Sequence, residues 1–343
     1  MALRSDRDAL HAAWRGLAVG GDGEGWRTIP LGTVAGVRVL AARRFPGGLE
    51  SVLITFPAGT VPSDRGLPQA KGFTTTRLRM AVDGAESTWL AVVRCEAGGL
   101  DMFTAMASDV LSLVNRGPVG VAEDLSAAVI ARIVAWQRFM ERGNSGLLSP
   151  DEEVGLFGEL VVLRDILAGA GDRVGTVEAW VGPRDGLHDF VVGAGAMEVK
   201  TSTAEGGFAA RIGSLEQLDT SAVNPLFLLA VHLGVDPSGS TLGALIGTIR
   251  ETLSIDPAAA DLFAGRLLWS GVRLEDEDKY TSRFVVVSVA VHRVDGTFPR
   301  LVRANTPLAV TNAMYTVELN SISPSGLSIL DAHAILRKSA HDP

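Results

Sequence analysis

One stretch constrains this chain more than any other: HDFVVGAGAMEVKTS, residues 188–202. Two apolar runs flank Gly193-Ala194-Gly195, and a two-residue turn with glycine first suits Gly193-Ala194. Closing the turn there sets Val192 opposite Gly195 and, by the same count, Asp189 opposite Glu198. Side chains alternate along a strand, so Glu198 and Lys200 share one face while Met197, Val199 and Thr201 share the other. A slip of one residue would separate the two carboxylates. Adjacent carboxylates repel unless a proton or cation lies between them. A hard divalent ion such as Mg²⁺ meets that need through oxygen ligands and retained waters. A lysine beside it can orient or deprotonate a water, or stabilise charge on a phosphate. A carboxylate pair, a metal and a lysine are the working parts of phosphodiester hydrolysis.

The segments around the hairpin indicate an α/β chain with a β-rich start. Strands are expected at 36–45, 49–56, 76–82 and 88–95, with Gly, Pro and Asp turns between them. A helix over 100–114 follows. Val129, Ile133, Trp136 and Met140 then mark one apolar face of a second helix, ended by Gly143-Asn144-Ser145-Gly146. Ser149, Pro150 and Glu152 form a capping box with proline at the first helical position, and this third helix runs to about 169. Beyond the hairpin come strands at 208–212 and 225–233, helices at 241–253 and 258–268, a strand at 282–294 and a mixed tail. The expected division is a β-rich region of unknown role, 1–120, and a second domain, 121–343, that carries the chemistry.

Within the capped helix, Leu156, Leu160, Leu163 and Leu167 form the buried stripe. Glu152 and Glu153 favour the helix dipole, but Glu159 lies on the stripe or at its margin, where that explanation fails. Its competing reading is a glutamate snorkelling at the edge of the face. Glu277-Asp278-Lys279 repeats the Glu-x-Lys spacing in a polar acidic run and reads as solvated.

Composition excludes several classes. The formal charge of −8 argues against coating nucleic acid by bulk electrostatics. The single cysteine, Cys95, rules out an internal disulfide and fits a reducing cytosol. There is no secretory h-region, and no apolar run approaches the roughly 18 to 20 residues of a membrane span. A cytoplasmic protein with no membrane role is therefore expected. CxxC, HExxH, P-loop and GxSxG signatures are absent.

Four blocks carry a resemblance: LSPDEEVGLFGELVVL (148–163), WVGPRDGLHDF (180–190), MEVKTS (197–202) and RIGSLEQLD (211–219). Together they resemble the PD-(D/E)XK nuclease superfamily, and within it a bacterial group of PD-(D/E)XK family members. The superfamily's proline is replaced by His188. The resemblance implies a restriction-endonuclease-like core, a mixed central sheet flanked by helices. It implies that Asp189, Glu198 and Glu159 serve as metal-site acids for Mg²⁺ (or Mn²⁺) and that Lys200 positions or activates the water. Gln217, expected on a helix, resembles an accessory glutamine beside the metal; a capping or surface amide is the competing reading. Thr201, Arg211 and Ser214 are candidates for phosphate contacts, each with a structural competitor. His188, on the face opposite Asp189, reads as a core or supporting residue.

The expectation is a Mg²⁺-dependent endodeoxyribonuclease acting in bacterial restriction or anti-phage defence. A helicase-type ATPase or a methyltransferase is the expected partner, and a homo-oligomer is compatible. The competing classes are a scaffold or DNA-binding subunit with little activity, and an RNA-cleaving enzyme. No aromatic-rich basic patch favours single-stranded RNA.

Overall fold

A computed structural model describes residues 6–19, 24–34, 36–56, 61, 66–82, 84–116, 122–141, 147–169, 171–184 and 186–339. The glycine-rich 143–146 stop lies outside them. The chain divides into two compact units, Met1–Asn144 and Ser145–Pro343.

The first unit runs α1 (Asp6–Ala18), β1 (Gly25–Val34), β2 (Val37–Phe45), β3 (Leu49–Thr55), β4 (Phe73–Val82), β5 (Ala85–Arg94), α2 (Leu100–Arg116) and α3 (Ala122–Glu141). Its strands form one antiparallel sheet in the order β1-β2-β3-β5-β4. Leu40, Ala42, Leu53, Trp89, Ala91 and Val93 pack together on it. Trp14 of α1 is buried, and its Nε1 donates to the Ser51 carbonyl at 2.9 Å. The unit ends after α3, later than the 120/121 boundary expected from the sequence. The reason is local packing: Asp109 of α2 accepts from Arg132 at 2.7 Å and from Trp136 Nε1 at 2.8 Å.

The second unit runs α4 (Pro150–Gly169), α5 (Arg173–Ala179), β6 (Phe190–Val192), β7 (Gly195–Ser202), β8 (Ala209–Ile212), β9 (Leu226–Ser240), α6 (Leu242–Leu253), α7 (Pro257–Ser270), β10 (Phe284–Val294), β11 (Tyr315–Glu318) and α8 (Ile329–Ser339). A four-stranded mixed sheet has the order β10-β9-β7-β6, and β11-β8 form a separate pair. In this sheet β7 and β9 run parallel, and the β9–β10 and β6–β7 pairs are antiparallel. Residues 226–231 of β9 are buried without a break, the pattern of a strand covered on both faces. The β7–β9 register defines those faces. Met197, Val199, Phe227, Leu229 and Val231 join α4 in one core. Ala196, Leu226, Leu228 and Ala230 join Phe208, Ile212 and Val317 of the β8–β11 layer in another. The fold is thus α/β with mixed sheets and helices, compatible with a PD-(D/E)XK-like core. Among the described residues no helix is long and apolar enough to cross a membrane.

Candidate active site

The hairpin closes in the register set by its turn. Val192 pairs with Gly195, Val191 with Ala196 and Phe190 with Met197. Gly193 has φ 58°, a left-handed value that glycine adopts without penalty. One step further along the same pairing, Asp189 meets β7: its Oδ2 accepts the Val199 N–H at 2.6 Å. Its own carbonyl accepts from Val181 and Gly182, so its backbone is pinned beside the short edge strand.

Glu198 is buried, and its Oε1 accepts from Lys200 Nζ at 2.7 Å and from Gln217 Nε2 at 2.6 Å. Gln217 is fixed from both sides, because its Oε1 accepts the Gly213 N–H at 2.8 Å. It lies in a turn after β8, not on a helix as the sequence suggested. Buried His188 holds that turn through Nε2 and the Gln217 carbonyl, 3.0 Å apart. Burial pushes the His188 imidazole below its ordinary value.

Glu159 Oε2 accepts from Trp180 Nε1 at 2.7 Å. Trp180 bridges Phe190 at the outer edge of β6. A methyl group placed on Gly182 would lie 2.7 Å from Asp189 Oδ1 and 3.0 Å from Glu159 Oε2. Gly182 therefore leaves a cradle between the two carboxylates that any side chain would fill. Glu159 does not arrive from a helix over the Glu198–Lys200 face. Its helix, α4, covers the opposite face, where Gly158 lets it approach Thr201 so closely that a Cβ would sit 1.9 Å from Thr201 Oγ1. Glu159 reaches the cluster at the sheet's edge instead.

Thr201 is correspondingly a helix-packing residue, and the structure does not bring it to the cluster. Arg211 is exposed on β8, with Nη2 3.3 Å from Met314 Sδ. Ser214 hydrogen-bonds the Glu216 carboxylate. Neither touches Glu198 or Lys200. Trp180 and Gly182 stand in the sequence only within the 180–190 block; their roles beside Glu159 depend on the bridge to Phe190. Lys279 of the second Glu-x-Lys is mostly exposed and pairs with buried Asp276 at 2.7 Å, where Arg273 also binds. That motif is a structural ion cluster in a 3₁₀ segment, Leu274–Lys279.

Three carboxylates thus share one lysine. Burial, followed by the Asp189 charge, pushes Glu159 well above the ordinary glutamate range. Burial raises Asp189 to about 6 against the pull of the Val199 N–H and Lys200. Burial and the Asp189 charge raise Glu198 to about 8, although Lys200 and Gln217 oppose the shift. Each carboxylate has one oxygen anchored: Asp189 Oδ2, Glu198 Oε1 and Glu159 Oε2. The opposite oxygens accept no hydrogen bond among the described residues. Free hard oxygens, an excess of buried negative charge and the Gly182 cradle suit a divalent cation. Among the described residues no three acids, histidines or cysteines already converge as a complete ligand set. Mg²⁺ commonly takes one or two carboxylates plus water and substrate oxygens, so Asp189 and Glu198 suffice in kind.

An α/β unit whose edge hairpin brings Asp189, just before β6, together with Glu198 and Lys200 of β7 is compatible with a PD-(D/E)XK-like core. The chain belongs to the family described as "Putative PD-(D/E)XK family member", whose profile matches residues 10–320. No curated protein and no solved structure matches it.

Proposed function

We propose that the chain is a divalent-metal-dependent endonuclease of DNA, built on a restriction-endonuclease-like core. The observation that carries this reading is the charge imbalance at the hairpin: Glu159, Asp189 and Glu198 around Lys200. A structural ion cluster gains nothing from an excess of buried anions. A site that takes up a cation and a phosphate does.

Asp189 and Glu198 would hold Mg²⁺, with Glu159 behind Asp189. The ion, when bound, would polarise a phosphoryl oxygen and acidify a bound water. The chain's residues supply the rest. The Val199 N–H fixes the Asp189 carboxylate, and Gln217 fixes Glu198. Lys200 shares Glu198 Oε1, where its ammonium can orient a nucleophilic water or meet charge developing on the phosphate. Trp180 keeps Glu159 turned toward Gly182. A bacterial defence role, a helicase-type ATPase or methyltransferase partner and a cytoplasmic setting belong to this same proposal.

The test is cleavage of plasmid and linear DNA alongside calorimetric Mg²⁺ titration. Mg²⁺ or Mn²⁺ should support cleavage, and Ca²⁺ should bind with little turnover. A chain that binds no divalent ion at millimolar levels, with or without DNA, would be a scaffold instead.

A further inference from the structure

The connection between β10 and β11 is long and unusually exposed. From residue 295 to 314 it carries Arg300 and Arg303 against one acid, Asp295, within a chain of net charge −8. Leu308 is completely exposed (101%), and Met314 (63%), Leu301 and Val310 are also exposed. Presenting this much apolar surface on one loop is unusual for a region with no partner.

The loop is not slack. The Val310 N–H donates to the Pro307 carbonyl at 2.8 Å, closing a turn with Leu308 at its tip. Arg303 donates to the carbonyls of Val310 and Thr311 at 3.2 and 2.6 Å. It also donates to Glu216 at 3.0 Å. Glu216 adjoins Gln217, which binds Glu198. Tyr315 ties Leu301 to the same layer through 3.1 and 3.3 Å hydrogen bonds. Arg211 lies against Met314. The apolar tip is therefore braced to the turn that supports the candidate active site, and the exposed Arg211 guanidinium lies at the loop's other end, against Met314.

We propose that this loop is a duplex-DNA arm in which Leu308 enters a base step as a wedge while Arg211 lies along the neighbouring phosphates. The inference rests on the nuclease reading for its choice of DNA. Apolar side chains unstack base steps in this way, and arginines hold the flanking backbone. A fixed turn presents the wedge without an ordering penalty on binding. Glu216 does not repel the backbone, since Arg303 pairs with it. Arg303 acts as a positioning residue, coupling the tip to Gln217.

The experiment measures binding separately from cleavage. Duplexes of a few helical turns carrying 2-aminopurine are titrated with the full chain in Ca²⁺, following anisotropy and 2-aminopurine fluorescence. Wild type should bind and raise the fluorescence. Leu308→Ala should weaken binding about tenfold, the value of burying one leucine, and abolish the rise. Arg211→Ala should weaken binding, lower the salt slope by about one and keep the rise. Leu330→Ala, on exposed α8 surface, should change neither. Wild-type affinity and fluorescence in Leu308→Ala would overturn the wedge. So would a Leu308→Ala effect confined to self-association in light scattering, which would make the loop a protein interface. Leu308-dependent binding without Mg²⁺-supported cleavage would retain the arm and remove the nuclease reading.

Discussion

Each unit buries charge, and the two do it in opposite ways. In the first unit Glu50 is buried on β3 between two arginines. Arg43 reaches Oε1 at 2.8 Å and Arg94 reaches Oε2 at 2.7 Å. Arg43 also donates to the Gly48 and Trp14 carbonyls, and Arg94 to those of Cys95 and Gly98. Burial pushes Glu50 upward, but its hydrogen bonds and the two arginines outweigh that and leave it below the ordinary range. In the second unit three carboxylates share one lysine, and all three are shifted upward. The first arrangement is complete as it stands. The second sets three carboxylates against a single ammonium, and this difference separates a structural ion network from a candidate site.

The largest expected effect breaks the comparison at the lysine. Lys200→Ala should lower DNA cleavage by about 10²–10⁴-fold, the span associated with a positioned proton-transfer group. Lys279→Ala should leave it unchanged, because its partner is Asp276. Matched losses in a plasmid-nicking assay would show that the Glu-x-Lys spacing, not its surroundings, had been selected.

Next in size is Glu50→Gln. It strands two arginines at once, so it should destabilise the first unit toward the lower end of the about 3–5 kcal/mol typical of a broken buried pair. The arginines are partly solvated, which limits the loss. Urea denaturation with hydrogen exchange at β2, β3 and β5 measures it. Glu198→Gln is the matched change in the second unit. Lys200 keeps Asp189 as a neighbouring carboxylate after that substitution, and the opposition between Asp189 and Glu198 disappears. Metal-free stability should therefore stay level or rise by up to about 1 kcal/mol, while Mg²⁺ binding weakens. A loss comparable to that of Glu50→Gln would make Glu198 a structural anion.

Much of the second unit was legible from strand parity and capping chemistry. Ser149 and Glu152 exchange the hydrogen bonds of the predicted capping box. The Gly193-Ala194 turn set the register that brings Asp189 to β7. The same parity set Thr201 apart from Glu198, so its packing role was available without coordinates. The approach of Glu159 was not, because it depends on which face α4 covers and on the Trp180 bridge, both long-range. Gln217 was expected on a helix because the resemblance places an accessory glutamine there; the Gly213 N–H and the His188 ring hold it in a turn instead. In the first unit, α1 went unanticipated although Leu10, Ala13, Trp14 and Leu17 have helical spacing. α3 gave no sign of its allegiance, since Arg132 and Trp136 choose Asp109 only once α2 is in place.

The last expected effect is a difference of sign with pH in metal-free protein. Glu50 titrates below the ordinary glutamate value of 4.5. Its stabilisation is therefore complete above that value and is lost as pH falls through the folded value. Protection at β3 should drop in acid, and Glu50→Gln should remove that dependence. The hairpin carboxylates behave oppositely. Asp189 is raised to about 6 and Glu198 to about 8. Each raised carboxyl binds its proton more tightly when folded, so stability is greatest below the ordinary carboxylate range and declines as pH rises through the folded values. Protection at β7, corrected for intrinsic exchange, should fall from pH 5 toward about pH 8 in chelator. Added Mg²⁺ should restore it at the upper end, since the ion replaces the protons as the neutralising charge. If β3 and β7 respond to pH with the same sign, the contrast between a completed ion network and an anion-rich site is wrong.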